Sequence, residues 1–139
     1  MTRYRAVSAS LQANAFCREV LASGEVFLIE HELRGSVTWP LADDRHACPV
    51  WSSRRRIVAM LEGPLARPGL VISRHSWDEF RDEITPRLAA DGLLVGLNWS
   101  GPRARGYNLE PSDAIARVEA FDASRNLDED TDNNGRLAG

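Results

Sequence analysis

The stretch that decides the fold is Leu93-Leu-Val-Gly-Leu-Asn98, which follows the turn signal Asp91-Gly92. It is an uninterrupted apolar run of strand length, without the alternation of polar and apolar residues that a half-exposed strand shows. A strand of this kind is buried on both faces. We therefore expect residues 93–98 to form a central strand in the interior of the molecule.

The segment before this strand predicts the helix that packs on it. Ser76-Trp-Asp-Glu79 is a capping box, in which the Ser and Glu side chains satisfy the first free backbone N–H groups of a helix. The helix should run from Trp77 to Ala90, with a kink or a break at Pro86. Its apolar face contains residues spaced four apart: Phe80, Ile84 and Leu88.

The remaining elements follow from cap, turn and β-propensity signals. We predict helices at 10–23, 54–61 and 111–123, and strands at 25–31, 37–41, 47–51, 70–73 and 107–109. Pro49 favours an edge or strand-start position. The fold class is α+β: a single domain with a small mixed β-sheet of about five strands and three to four helices packed mainly on one face. Residues 1–9 form an N-terminal arm, 10–123 the domain and 124–139 a disordered acidic tail.

Composition limits the classes of function. The 139 residues carry a net charge of -3, which argues against nucleic-acid binding, because that needs a basic face. All 17 basic residues are Arg, and the absence of Lys excludes Schiff-base chemistry and a lysine-containing phosphate-binding loop. No apolar run is long enough for a membrane helix or resembles a signal peptide, so we expect a cytoplasmic protein whose two cysteines are free thiols.

The order of several short motifs resembles one family. These motifs are the strand Glu25 to Glu30, Pro49-Val-Trp-Ser-Ser53, Phe80 to Leu88, Asp91-Gly-Leu-Leu-Val-Gly-Leu-Asn-Trp99 and Leu109-Glu-Pro-Ser-Asp113. Together they resemble the domain of unknown function 2750 (DUF2750) family of small bacterial domains, over residues 10 to 121. The layout is also similar to the amino-terminal domain of the type III secretion protein SseB. The resemblance implies a fold and no catalytic residues or ligand.

His46-Ala-Cys48 is the one candidate for catalysis. Residues two apart in a strand point to the same side, so His46 could act as the base for a Cys48 thiol nucleophile. No residue in the sequence obviously orients the imidazole, and a half-buried structural Cys48 is the alternative. Zinc sites usually need two clusters of ligands, and only this one pair is close in sequence, so we predict no metal and no cofactor.

Arg54-Arg55-Arg56 is the sharpest candidate for binding. The run lies in the first turn of its helix, where positive charge is unfavourable by roughly 0.3 to 1 kcal/mol per group. Guanidinium groups beside free helix N–H groups suit an anion. With the loop arginines Arg103 and Arg105 and a rim formed by Trp51 and Trp99, the run predicts a site for an anion or an acidic peptide. A solvated arginine face is the alternative for the run, core packing is the alternative for the two tryptophans, and the acidic tail could itself occupy the site.

The sequence thus favours an uncharacterised bacterial cytoplasmic protein that acts as a non-catalytic binding or adaptor module for a small anion or an acidic protein partner. One alternative is a small thiol-dependent hydrolase or transferase using Cys48 and His46. The other is a structural homodimer subunit that pairs through an edge strand or the first helix.

Overall fold

A computed structural model describes the backbone of residues 2–138 and the side chains of residues 10–127. The helices are α1 (Thr2–Ser23), α2 (Arg54–Leu61), α3 (Trp77–Glu79), α4 (Thr85–Ala90) and α5 (Pro111–Ala138). The strands are β1 (Glu25–His31), β2 (Gly35–Ser36), β3 (Trp39–Pro40), β4 (His46–Trp51), β5 (Leu70–Ser76), β6 (Leu94–Ser100) and β7 (Arg105–Leu109). The chain is a single α+β domain, as predicted.

The strands form one mixed sheet. The order across it is β5, β1, β4, β6 and β7, in which β4 and β6 are parallel and the other pairs are antiparallel. The predicted strand at 37–41 is replaced by two short pieces, β2 paired with β1 and β3 paired with β4. The sheet therefore has seven strands instead of about five. β6 lies between β4 and β7, and five consecutive residues of it are buried, which confirms the predicted central strand.

Pro49 lies in the interior of the sheet, so the prediction of an edge position was wrong. β4 pairs with β6 on one side along Ala47 to Val50. On its other side it pairs with β3 at His46 and Ala47 and with β1 at Val50 and Trp51. Pro49 therefore sits in the gap between the β3 and β1 pairings, where the strand needs no N–H donor on that side.

Helices cover the sheet unequally, with most of them on one face. The large core lies between the sheet and helices α1, α3, α4 and α5, and its most deeply buried large side chains are Phe16, Phe80, Leu97, Val20 and Val118. The small core lies on the opposite face, where α2 contributes Ile57 and Met60. Alternate residues of β1 enter the two cores, Leu28 the large one and Phe27 the small one.

The backbone at Asn98 changes the direction in which β6 presents its side chains. Asn98 has a left-handed φ of 50°, and the β6–β7 register shifts between Leu97 and Ser100. Leu97 points into the large core, as Val95 does two residues earlier, and the β-bulge then directs the Asn98 amide to the same side, toward α1, where it donates to the Gln12 carbonyl at 3.4 Å. Trp99 consequently enters the small core.

The helical stretch from Trp77 to Ala90 widens before Pro86. Residues Phe80 to Ile84 form a π-helical turn, and the Thr85 N–H donates to the Phe80 carbonyl five residues earlier. Because proline lacks an N–H and crowds the carbonyl four residues before it, the widened turn accommodates it without ending the helix. The predicted interruption at Pro86 is therefore a local change of helix type.

The terminal helices extend beyond their predicted bounds. α1 begins at Thr2 instead of Ser10, and α5 reaches Ala138 instead of ending at about Ala123. Neither extension contains a proline, and the only glycine is Gly135, so little in the sequence stops a helix there. Met1, Gly139 and the side chains of residues 2–9 and 128–139 lie outside the described part, and the division into an arm, a domain and an acidic tail stays a prediction. No helix within the described residues is long and apolar enough to cross a membrane.

Gly96 should be essential for packing in the small core. A Cβ at this position would collide with the indole Nε1 of Trp99, which is held by a hydrogen bond to Asn108 Oδ1 at 2.8 Å. We expect Gly96→Ala to lower the free energy of unfolding by about 1–3 kcal/mol and to shift tryptophan emission, measured by urea denaturation followed by fluorescence. In Gly101→Ala the added Cβ meets nothing within 4 Å, so this control should show only the smaller cost of its positive φ. An unchanged emission spectrum in Gly96→Ala would contradict the packing described.

Candidate functional site

The start of α2 is fixed by hydrogen bonds to the two serines that precede it. Ser53 caps the helix, since its hydroxyl accepts the Arg56 N–H at 3.3 Å. Ser52, which is 2% exposed, lies at the end of β4, and its N–H donates to Asn98 Oδ1 at 3.0 Å. The Asn98 Nδ2 in turn donates to Ser52 Oγ at 2.9 Å. The bulge in β6 and the corner between β4 and α2 therefore hold each other in place.

Arg56 belongs to this network, although its side chain also lines a surface hollow beside α2. Its Nε and Nη2 donate to Glu19 Oε1 and Oε2 at 2.9 and 2.6 Å, and Glu19 Oε1 also accepts from Ser52 Oγ at 2.8 Å. The hydrogen bonds from Arg56 are the main reason that the pKa of Glu19 lies below its usual value, and the Glu19 carboxylate raises the pKa of Arg56. This bidentate pair ties α1 to α2, which removes Arg56 from the predicted anion site.

The other predicted arginines are exposed on both sides of one loop. Arg54 and Arg55 project from the first turn of α2, and Arg103 and Arg105 lie in and after the loop between β6 and β7. Among residues 10–127, none of these four forms an ion pair. We call Arg54, Arg55, Arg103 and Arg105 the arginine surface.

Two hollows flank this loop. The first, of about 380 Å³, is lined by Arg55, Met60 and Gly101 among others, and the second, of about 660 Å³, contains Arg103 and Arg105. Trp99 lines both. The loop therefore forms a ridge over Trp99, with arginines on each side.

Of the two predicted rim tryptophans, only Trp99 reaches a hollow. Trp51 is completely buried, and its indole N–H donates to the Trp99 carbonyl at 2.8 Å, so the prediction that it forms part of a binding rim was wrong. Its size serves the small core, which is the alternative that the sequence left open. Trp99 is 5% exposed and packs edge-on against Trp39, with 6.4 Å between ring centroids. Arg67 stacks on Trp39 at 4.9 Å and adds a cation beside the larger hollow.

Cys48 is not an activated thiol. It is 2% exposed, and burial together with the negative charge of Glu30 raises its pKa to about 12, so the thiol is protonated at neutral pH. His46 is exposed at the start of β4, and no hydrogen bond joins it to Cys48 in the described part of the chain. The hypothesis of a Cys48 nucleophile with His46 as its base is therefore not supported. Both Cys17 and Cys48 are free and buried.

The sequence did not predict one series of three hydrogen-bonded side chains, formed by Ser73, His75 and Glu79. Ser73 Oγ lies 2.5 Å from His75 Nε2, and His75 Nδ1 lies 2.5 Å from Glu79 Oε1. Glu79 was expected to complete the capping box by bonding the Ser76 N–H. Ser76 does cap the helix at 3.1 Å, but the Glu79 side chain turns to His75 instead. The sequence does contain a signal for this contact. A Ser and a His two residues apart in a strand lie on one face, and Glu79 follows the His by four residues, in the first turn of the helix.

The family assignment agrees with this fold. A family model described as "Protein of unknown function (DUF2750)" matches residues 13–117. The chain belongs to the DUF2750 family. The matched range lies within the 10–121 that the sequence motifs indicated, and it includes every member of the arginine surface. A comparison with curated proteins finds no match. The likeness to the SseB domain stays a prediction.

The Glu19–Arg56 pair should make stability depend on pH. Because the pKa of folded Glu19 is lowered, its contribution is present above the unfolded pKa and is lost as the pH falls through the folded value. At pH 7 we expect Glu19→Gln to reduce the free energy of unfolding by about 1.5 kcal/mol, measured by urea denaturation, and this difference should shrink below about pH 4.5.

Glu25→Gln is the matched control for this prediction. Glu25 pairs with Arg74 at 3.2 Å, and the two side chains are 39% and 69% exposed, so its loss should cost less than about 0.5 kcal/mol. Equal losses in the two variants, or a Glu19→Gln difference that persists at pH 3, would contradict the role given to Glu19.

Both thiols should be unreactive in the folded protein. Burial raises the pKa of Cys17 as well as that of Cys48. We expect a disulfide reagent that reports free thiols at pH 7.5 to react slowly with the native chain and to count two thiols in guanidinium chloride. A thiol that reacts rapidly in the native chain, mapped to Cys48, would restore the thiol hypothesis.

Proposed function

We propose that this chain is a binding module that recognises an acidic segment of a partner protein through the arginine surface. The observation that carries this proposal is the pair of hollows beside Trp99, which present arginines on both sides of the loop at 100–105. Arginine side chains form bidentate hydrogen bonds with carboxylates, and no covalent chemistry is needed for such recognition.

The absence of counter-charges supports a negatively charged ligand. No Asp or Glu is among the residues that line either hollow, although the whole chain has a net charge of -3. Where the other described arginines pair, they do so with carboxylates of the chain, as Arg45 does with Glu110 at 2.8 Å. An acidic ligand would supply the partners that Arg54, Arg55, Arg103 and Arg105 lack.

The extent of the surface favours a peptide segment over a single small anion. An inorganic ion in one hollow could contact the arginines on only one side of the loop. An extended acidic segment crossing the ridge above Trp99 could contact both sides, and the apolar lining from Met60, Pro102 and Ala104 would pack against its side chains.

Local energetics also supports a binding role. Arg54 and Arg55 lie at the positive end of the α2 dipole, where they destabilise the helix. Arg56 offsets this cost through its bond to Glu19, but Arg54 and Arg55 have no such compensation within the described residues. A residue that local physics disfavours is more readily explained by a ligand.

We expect Arg54→Ala combined with Arg55→Ala to weaken binding of a fluorescent Asp/Glu-rich peptide to the full chain by at least about 10-fold, measured by fluorescence anisotropy. Binding of the unchanged chain should also weaken with added salt, and inorganic phosphate should compete poorly. Thermal stability should stay equal or rise slightly, because two charges that oppose the helix dipole are removed.

Arg34→Ala combined with Arg125→Ala is the matched control. Both residues are exposed, the charge change is the same, and neither lines either of the two hollows, although Arg125 also loses its ion pair with Asp122 at 3.5 Å. This control should bind as the unchanged chain does. Equal loss in both double variants would mean nonspecific attraction, strong competition by phosphate would indicate a small-anion site, and unchanged binding by the Arg54/Arg55 variant would reject the surface.

A further inference from the structure

Ser73, His75 and Glu79 have the connectivity of a nucleophile, a base and an orienting carboxylate. The Ser73 hydroxyl lies 2.5 Å from Nε2 of His75, and the Glu79 carboxylate lies 2.5 Å from Nδ1 of the same ring. A carboxylate can only accept, so in the neutral ring the proton lies on Nδ1 and Nε2 is free to accept from the serine. This is the arrangement by which a histidine can take the proton of an attacking hydroxyl.

The fold holds the three groups at one edge of the sheet. Ser73 and His75 point to the same side of β5, toward the large core, because the preceding residue, Ile72, points to the opposite side and packs against the small core. Glu79 lies in α3, directly after the strand, and its position is fixed by the Ser76 cap. The histidine side chain is only 17% exposed and the glutamate 41%, so the base is more shielded from water than its orienting partner.

A cavity of about 210 Å³ adjoins this chain of hydrogen bonds. His75 lines it together with the charged residues Glu30, Arg87 and Asp91, and the buried residues Leu28, Ile84 and Leu88 supply apolar walls. Ser73 does not itself line the cavity, but it neighbours two residues that do: its register partner Leu28 across the β1–β5 ladder and its hydrogen-bond partner His75. The volume is below the roughly 300 Å³ at which pockets for drug-sized ligands begin, so the cavity fits a short apolar group.

Hydrogen-bond donors for a developing negative charge lie nearby. Gly69 accepts from the Glu32 N–H and Trp77 donates to the Gly24 carbonyl, so odd-numbered residues of β5 make the bonds to β1. The N–H of Arg74, the residue after the serine, therefore points to the open edge, where no other described strand pairs with β5. The N–H that follows a nucleophilic serine serves as such a donor in other hydrolases. The exposed Arg87 lines the same cavity.

We propose that Ser73, His75 and Glu79 form a nucleophilic site that hydrolyses esters of short-chain carboxylic acids. Ser73 Oγ bonds to the ester carbonyl carbon as its proton passes to His75 Nε2. The bond from that carbon to the alkoxy oxygen breaks, and the alcohol leaves with the proton. A water molecule then gives its proton to Nε2 and attacks the acyl group, and the serine recovers this proton as the carboxylic acid leaves.

This site is independent of the proposed function. The arginine surface lies at α2 and the loop at 100–105, whereas Ser73, His75 and Glu79 lie on the face of the sheet that carries α3. Loss of peptide binding in the Arg54/Arg55 variant and loss of ester hydrolysis can therefore be measured separately in the same full chain.

The test uses the full chain with p-nitrophenyl esters and a fluorophosphonate, which bonds covalently to an activated serine. We expect the fluorophosphonate to label Ser73, mapped by mass spectrometry, and p-nitrophenyl acetate to be hydrolysed at least about 10-fold faster than the decanoate. Ser73→Ala and His75→Gln should each lower the rate by about 100-fold or more. Glu79→Gln, which changes a positioning residue, should lower kcat by at least about 10-fold with little change in KM, and Glu79→Asp should restore part of it.

The matched controls are His46→Ala and Ser124→Ala, which remove an exposed histidine and an exposed serine elsewhere. Both should keep the full rate. Hydrolysis that survives Ser73→Ala, or that falls equally in His46→Ala, would overturn the proposal. Mapping of the label on the unchanged chain does not depend on how any variant folds, and an unlabelled Ser73 under conditions that label a known serine hydrolase would also overturn it.

Discussion

The left-handed backbone at Asn98 and the hydrogen bonds of its amide to Ser52 hold the molecule's two cores in register. Without the bulge, the alternation of β6 would direct Trp99 toward α1, and the small core under α2 would lose its indole. Asparagine suits the position because it tolerates positive φ better than most residues and its amide can both donate and accept. The amide is 1% exposed, so these hydrogen bonds are shielded from water, and removing either partner would leave a buried polar group unpaired. The ridge at 100–105, the two hollows and the start of α2 all depend on this one position.

Electrostatics around α2 divides three adjacent arginines into two kinds. Arg56 points toward α1 and bonds to Glu19, which links the first helix of the chain to the network around Asn98. Arg54 and Arg55 project into solvent from the same turn and bear the unfavourable interaction with the helix dipole. The helical period makes this division unavoidable, since neighbouring residues differ by about 100° around the axis and cannot all face one partner. The run of three arginines therefore contains one structural residue and two exposed residues that form no ion pair within the described part of the chain.

Much of the fold could be predicted because local signals and burial agree. β1 and α2 have the predicted bounds, the strand at 93–98 is interior, and Ser53 and Ser76 cap their helices. The errors arise where tertiary context decides. Pro49 is central because two short strands leave a gap beside it, and no local pattern shows such a gap. The sequence favours Trp51 as part of a binding rim because tryptophans occur both in cores and at interfaces. Only the fold shows that this tryptophan belongs to a core. In the run Arg54 to Arg56, the sequence could indicate the charges but not that Glu19, 37 residues before Arg56, pairs with that arginine.

The choice between nucleophiles shows how environment can reverse a ranking based on residue type. Cysteine is intrinsically the better nucleophile, so the sequence favours Cys48 over any serine. Cys48 and His75 line the same cavity. Burial of the thiol and, to a smaller extent, the negative charge of Glu30 raise the pKa of Cys48 to about 12, and no base bonds to the thiol in the described part of the chain. Ser73 is weaker in isolation, but its hydroxyl touches an imidazole whose other nitrogen is held by a carboxylate. A nucleophile needs a base that can take its proton more than it needs a low intrinsic pKa, so any attack on a ligand in this cavity should come from oxygen and not from sulfur.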